Sequence, residues 1–177
     1  MVCRMYLMWF FVGVLFGGGE AFAVPLAANP SDVESADAIL EAVYDVISGA
    51  AGVPRDWDRF RSLFLPEARL IAVIHEKDKG TNTYRRFSPE EYITRAGPFL
   101  EKEGFFEQEV HRVIEQFGPI AHVFSTYESR RNRDDAKPFA RGINSFQLFH
   151  DGNRWWVVSI FWTGEREDLP IPAKYLP

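Results

Sequence analysis

The chain has 177 residues, 46% of them hydrophobic and 15% aromatic, and a formal charge of -5. That length and apolar content suit one domain with a real core and exclude a disordered or repetitive chain. With no Lys/Arg block, the chain lacks the clustered positive charge that nucleic acids and anionic membrane surfaces demand of a partner. Its one basic stretch, Arg130-Arg131-Asn132-Arg133, runs straight into Asp134-Asp135 and reads as a self-neutralised hairpin tip.

Residues 1–23 read as an export signal. Arg4 supplies a thin positive region, Met5 to Phe16 a short apolar core, and Ala21-Phe22-Ala23 an A-x-A cleavage signature. The apolar run is about 12 residues where a spanning helix needs roughly 20, and Gly17-Gly18-Gly19-Glu20 interrupts it. Cleavage after Ala23 and a secreted or periplasmic protein, free of the membrane once the signal is removed, are therefore expected. The single cysteine, Cys3, falls in the removed part. The mature chain would then have no disulfide, thiolate metal site or cysteine nucleophile.

Residues 24–33 are expected to be a flexible leader into a domain spanning 34–166, with 167–177 as a C-terminal tail. Ser31 and Glu34 have capping-box spacing, and Ala36, Ile39, Leu40, Val43, Tyr44 and Ile47 recur at helical spacing until Gly49 and Gly52. Asp56 caps a second, shorter helix whose Trp57, Phe60, Leu63 and Phe64 share a face before Pro66 ends it. Leu70 to His75 is a short apolar strand, followed by a turn at Lys79-Gly80. Ser88-Pro89-Glu90-Glu91 is the strongest local signal, opening a third helix with an N-cap, Pro at its first position and Glu at its third. Gly97-Pro98 should kink or end that helix. Four strands follow, at about 105–117, 120–131, 140–150 and 154–163, with tight turns at Gly118-Pro119 and Asp151-Gly152. Three helices before a run of strands predict an α+β fold, a strongly curved sheet with helices laid on one face.

This element order resembles the nuclear transport factor 2-like (NTF2-like) superfamily, in its SnoaL-like branch. The resemblance spans about residues 35 to 165. It rests on Asp56-Trp57-Asp58-Arg59-Phe60, on Leu63-Phe64 through Ala68-Arg69-Leu70, and on Asp151-Gly152 before the Trp-rich last strand. It implies a cone in which a mostly antiparallel sheet carries three helices on its concave face and encloses a pocket, with dimers often made through the sheet. It does not imply one chemistry, because this cone hosts isomerases, dehydratases, cyclases, hydrolases and pure binding modules. The steroid-isomerase type of site has a carboxylate on the strand after the second helix, where Leu70 to His75 offers none. The epoxide-hydrolase Asp-Arg-Asp network cannot be assembled, and the dehydratase type finds raw material in His75, His111, Tyr44, Tyr92 and Tyr127 without the motif.

Pairing arithmetic proposes site residues. A two-residue turn at Asp151-Gly152 sets Leu148 against Trp155, Phe146 against Val157 and Asn144 against Ser159, with Phe161 on the same face. Asn144 and Ser159 are then polar groups in an apolar wall, where the amide needs either a ligand or a loop backbone as partner. The opposite face, carrying Arg141, Ile143, Ser145, Gln147, Trp156, Val158, Ile160 and Trp162, is also rich in apolar groups and predicts a homodimer through the sheet. At Gly118-Pro119 the same arithmetic puts His111 near Thr126 and Glu109 opposite Glu128. Paired carboxylates repel, and sequestering them raises one pKa into the range of a general acid or base, so Glu109, His111 and Glu128 are the catalytic candidates. A wet rim neutralised by Arg130 is the competing reading, and a bulge would replace the set with Arg112 and Tyr127. Trp57, Phe60, Tyr92, Tyr127, Asn144, Phe146 and Ser159 are the candidate pocket residues, although core packing accounts for most of the aromatics. No metal-ligand spacing, phosphate loop or nucleophile elbow is present, so neither metal nor cofactor is expected. The expected function is a pocket for a small, largely apolar ligand. The alternative is a cofactor-independent lyase, isomerase or hydrolase using these acid-base groups.

Overall fold

The computed structural model describes residues 26–177, so the export signal expected at 1–23 and its cleavage point lie outside the described residues. Helix α1, Pro30–Val33, is a single turn capped by Asn29 with Pro30 at its start, and its Asp32 is buried against the Arg59 guanidinium at 2.7 and 3.0 Å. Residues expected to be flexible leader are thus tied to the core at 30–33. Ser31 sits inside this turn, and Ser35 caps helix α2 instead, accepting from the Ala38 amide at 3.0 Å. The physical reason is that Asn29 followed by Pro30 is itself a strong start signal, which consumes Ser31 before it can cap anything.

Helix α2, Ala36–Ile47, buries Ile39, Leu40, Val43, Tyr44 and Ile47, the stripe its spacing predicts. Helix α3, Trp57–Leu63, is capped by Asp56 and passes directly into strand β1, Phe64–Glu76. The strand therefore begins well before Leu70. Pro66 is tolerated there because it lies in the irregular stretch between Phe64 and Arg69, where the pairing of β1 with its neighbour is interrupted. Strand β2, Thr81–Phe87, closes a hairpin with β1. Helix α4, Pro89–Glu103, forms the full capping box, Glu91 accepting from the Ser88 amide and Ser88 from the Glu91 amide. It runs through Gly97-Pro98 without ending. Gly97 lets the Trp57 indole pack close to the helix, since a Cβ at that position would stand 3.0 Å from it.

Strands β3 (Phe106–Phe117), β4 (Ile120–Arg130), β5 (Ala140–His150) and β6 (Trp155–Gly164) complete a curved, unclosed sheet of order β2-β1-β6-β5-β4-β3, antiparallel except for the β1/β6 pair. The architecture is the expected α+β one. Helices α2, α3 and α4 cover one face, and Ile39, Leu40, Leu63, Val123, Phe146 and Val157 form the fully buried core between the layers. Among the described residues no helix is long and apolar enough to cross a membrane.

Two β-bulges correct the expected registers. In β3, His111 pairs with Thr126 and Val113 with Phe124 as expected, but Val110 is then unpaired, and Glu109 falls opposite Tyr127 rather than Glu128. In the last hairpin the loop is longer than two residues, so His150 pairs with Trp155 and Leu148 with Val157. Val158 is then unpaired, which sets Asn144 opposite Trp162 and Ser159 opposite Gln147. Each bulge inserts one extra residue and so exchanges the faces of everything beyond it. Ile160 and Trp162 turn inward, while Ser159 and Phe161 move to the face without helices. Part of that open face is covered by the C-terminal tail, where Thr126 donates to the Tyr175 carbonyl at 2.6 Å and the Tyr175 ring packs on Phe124.

Candidate functional site

A cavity of about 190 Å³ lies between the helices and the sheet. Its apolar wall comes from Val43 and Ile47 of α2, Phe60 of α3, Leu70 of β1, Leu100 of α4, Phe146 of β5, and Ile160 and Trp162 of β6, with Phe105 at the start of β3. Five polar side chains reach it: Tyr44, Tyr92, Glu107, Tyr127 and Asn144. Tyr92 lies parallel to Phe60, ring centroids 5.5 Å apart. Tyr127 lies across Gly142, whose missing side chain is what makes room, since a Cβ there would stand 2.5 Å from the phenol oxygen.

Glu107 is the chemical centre. The Val110 bulge turns it inward, where Ser129 donates to its Oε2 at 2.8 Å and Asn144 donates to its Oε1 at 3.2 Å. Burial strips water from the carboxylate and pushes its pKa up to about 7, a shift that the hydrogen bonds from Ser129 and Asn144 only partly offset. Glu107 and Tyr92 lie deep in the domain yet keep some accessible surface, because the cavity itself supplies it. Burial first and the Glu107 charge second raise the pKa values of Tyr92 and Tyr127, which keeps both phenols protonated as donors. Among the described residues no side-chain hydrogen bond acts on either of them, in contrast to Tyr44, which bonds Ser125 and Asn144. Two hydroxyl donors at the cavity are thus left for a guest.

Tyr44 and Glu107 also border a second, polar cleft of about 330 Å³ on the outer side, with Glu41, Asp45, Ser48, Glu109, Arg112, Arg130 and Arg133 around it. The two side chains form the wall between the apolar cavity and this cleft.

Of the residues proposed from sequence, Phe60, Tyr92, Tyr127, Asn144 and Phe146 line the cavity together. Trp57 does not: its indole donates to Glu101 at 2.9 Å and packs edge-on against Phe60 as a supporting residue. Ser159 is on the open face, carried there by the Val158 bulge. Glu109, His111 and Glu128 are not brought together. Glu109 bonds Arg112 and Ser125 behind the cavity, His111 lies opposite Thr126, and Glu128 pairs with Arg130 at 2.6 Å and Arg141 at 3.9 Å. Sequence reasoning did not single out Glu107, and it placed Tyr44 in the helical stripe of α2 and among the tyrosines available to a dehydratase-type site. The usable signal was the pair Phe105-Phe106 beside Glu107, an acid entering a strand from an apolar start. Among the described residues no group of three His, Cys, Asp or Glu side chains is placed to hold a metal ion.

No protein-family model matches the sequence, and no curated protein matches it. Solved structures do match. A protein of unknown function with a cystatin-like fold from Nostoc punctiforme has a TM-score of 0.55 at 11% identity, covering 73% of this chain and 87% of its own. An uncharacterised cystatin-like protein from Caulobacter vibrioides has a TM-score of 0.55 at 13% identity, covering 76% and 90%. A nuclear transport factor 2-like superfamily protein from Salmonella enterica has a TM-score of 0.51 at 15% identity, covering 76% and 87%. At these identities the likeness is one of fold, and this chain has the fold of the NTF2-like superfamily.

Proposed function

We propose that the inner cavity binds a small, largely apolar molecule carrying one carbonyl or hydroxyl oxygen, and that Glu107 moves a proton on it in a cofactor-independent isomerisation or elimination. The observation that carries this reading is a carboxylate held in an apolar cavity, its pKa pushed up by burial, beside two phenols that have no hydrogen-bond partner among the described residues. Glu107 takes a proton from the carbon beside the carbonyl, the electron pair moves onto the oxygen, and a tyrosine hydroxyl donates to the charge that develops there. The proton then returns to another carbon, or a leaving group departs.

Size narrows the guest. A cavity of about 150 Å³ accommodates benzene, so about 190 Å³ suits a single ring or a short branched chain and is too small for a fused polycycle. Pure binding is the second reading, favoured by the fact that both Glu107 oxygens already accept a hydrogen bond. A panel of small ketones, aldehydes and hydroxy acids in deuterated water separates the two by NMR. We expect α-hydrogen exchange that is lost in Glu107→Gln while binding persists; saturable binding with no exchange above the Glu107→Gln background would leave only the binder.

The proposal includes a homodimer through the open face of the sheet. Its support is the apolar surface there, with Val113, Ile120 and Phe161 between 40% and 57% exposed.

A further inference from the structure

We infer that Glu109, held by Arg112, which Asp37 holds in turn, is a positioning residue for Glu107: acting through Ser125 and Tyr44, it sets which way the Asn144 amide faces. This rests on the reading of Glu107 as the acting group.

Hydrogen-bond polarity dictates the direction at each step. Glu109 is an ion-paired carboxylate and only accepts, so Ser125 must give it its one hydrogen. The Ser125 oxygen, 2.6 Å from the Tyr44 oxygen, is then left as an acceptor, and Tyr44 donates to it. That leaves the Tyr44 oxygen to accept from the Asn144 amide nitrogen at 3.1 Å. The same nitrogen donates its other hydrogen to Glu107 at 3.2 Å. Turned over, the amide would present its oxygen to a carboxylate and a hydroxyl that both need a donor. Ser125 is completely buried, so water does not replace that link of the chain.

The groups facing Glu107 come from every surrounding element: Tyr44 of α2 and Ser48 at its C-cap, Tyr92 of α4, Tyr127 and Ser129 of β4 and Asn144 of β5, with Glu41, Asp45, Arg112, Arg130 and Arg133 across the outer cleft. None of the cleft charges is hydrogen-bonded to Glu107. Two mechanisms for an influence of Glu109 therefore predict opposite signs. Acting as a bare negative charge, Glu109 would hinder ionisation of Glu107, and its removal would lower the Glu107 pKa. Acting through the chain, its removal raises it. In Glu109→Gln the Arg112 contact keeps the amide oxygen on its own side and turns the NH2 toward Ser125. Ser125 then gives its hydrogen to Tyr44, Tyr44 gives its own to Asn144, the amide turns over and Glu107 loses a donor.

The test is a carboxyl ¹³C NMR titration of Glu107 in the purified protein. Glu109→Gln is expected to move its midpoint up by about one pH unit, the worth of one hydrogen bond to a charged group. Ser125→Ala, which breaks the chain and leaves the Glu109 charge in place, is expected to move it the same way. In a Tyr44→Phe background Glu109→Gln should give no upward shift. A downward or null shift in Glu109→Gln, or a null shift in Ser125→Ala, overturns the inference. A wild-type midpoint in the ordinary carboxylate range would instead count against Glu107 as the acid-base group, while the sign of the Glu109→Gln shift would still decide the coupling.

Discussion

Glu107 is a residue whose burial costs stability in a pH-dependent way. Its pKa is about 4.5 in the unfolded chain and about 7 in the folded one. Below pH 4.5 both states hold the proton, and above pH 7 neither does. Between these values the unfolded chain releases the proton first, so stability is highest in acid and falls as pH rises to 7, by about 3 kcal/mol for this one group. Glu107→Gln removes that dependence. Urea denaturation at pH 4.5 and pH 7.5 should show the difference shrinking by about that amount in the variant, which should be the more stable protein at the higher pH. An unchanged pH slope would mean that Glu107 is not a desolvated carboxylate.

At the scale of elements, local chemistry sets where segments begin, and pairing sets which way they face. Ser88 and Glu91 cap α4 reciprocally, and the third helix is where the sequence places it. Ser88→Ala should cost about 1 kcal/mol in chemical denaturation, because it removes one arm of the capping box. The strand limits at 106–117, 120–130, 140–150 and 155–164 lie within a residue or so of those expected from alternation and turn residues. The bulges at Val110 and Val158 were not legible in that pattern. A valine at either position looks like any other strand residue in the local sequence, yet its bulge carries Glu107 and Trp162 to the cavity and sends Ser159 away.

For the molecule as a whole, the open face of the sheet is the unsatisfied surface. The tail covers Phe124 and Thr126, while Phe161, Val113 and Ile120 stay in water. Burying such a patch against its own copy offsets the cost of exposing it. Light scattering should give twice the chain mass at micromolar concentration, and Phe161→Glu should halve it with the circular dichroism spectrum unchanged. A monomeric wild-type protein would leave the tail as the only cover this face has among the described residues.

The sequence by itself determined the order of helices α2, α3 and α4 and of the last four strands, the apolar stripe of α2, the caps of α3 and α4 and most of the aromatic content of the pocket, because each depends on residues a few positions apart. Tertiary structure alone decided which acid is sequestered. Facing in a strand alternates with a period of two, and where that alternation slips depends on the partner strand and on the helices that need a buried surface beneath them. Glu107, Tyr44 and Asn144 come from three separate segments, and only the closing of the sheet over the helices puts them within a hydrogen bond of one another.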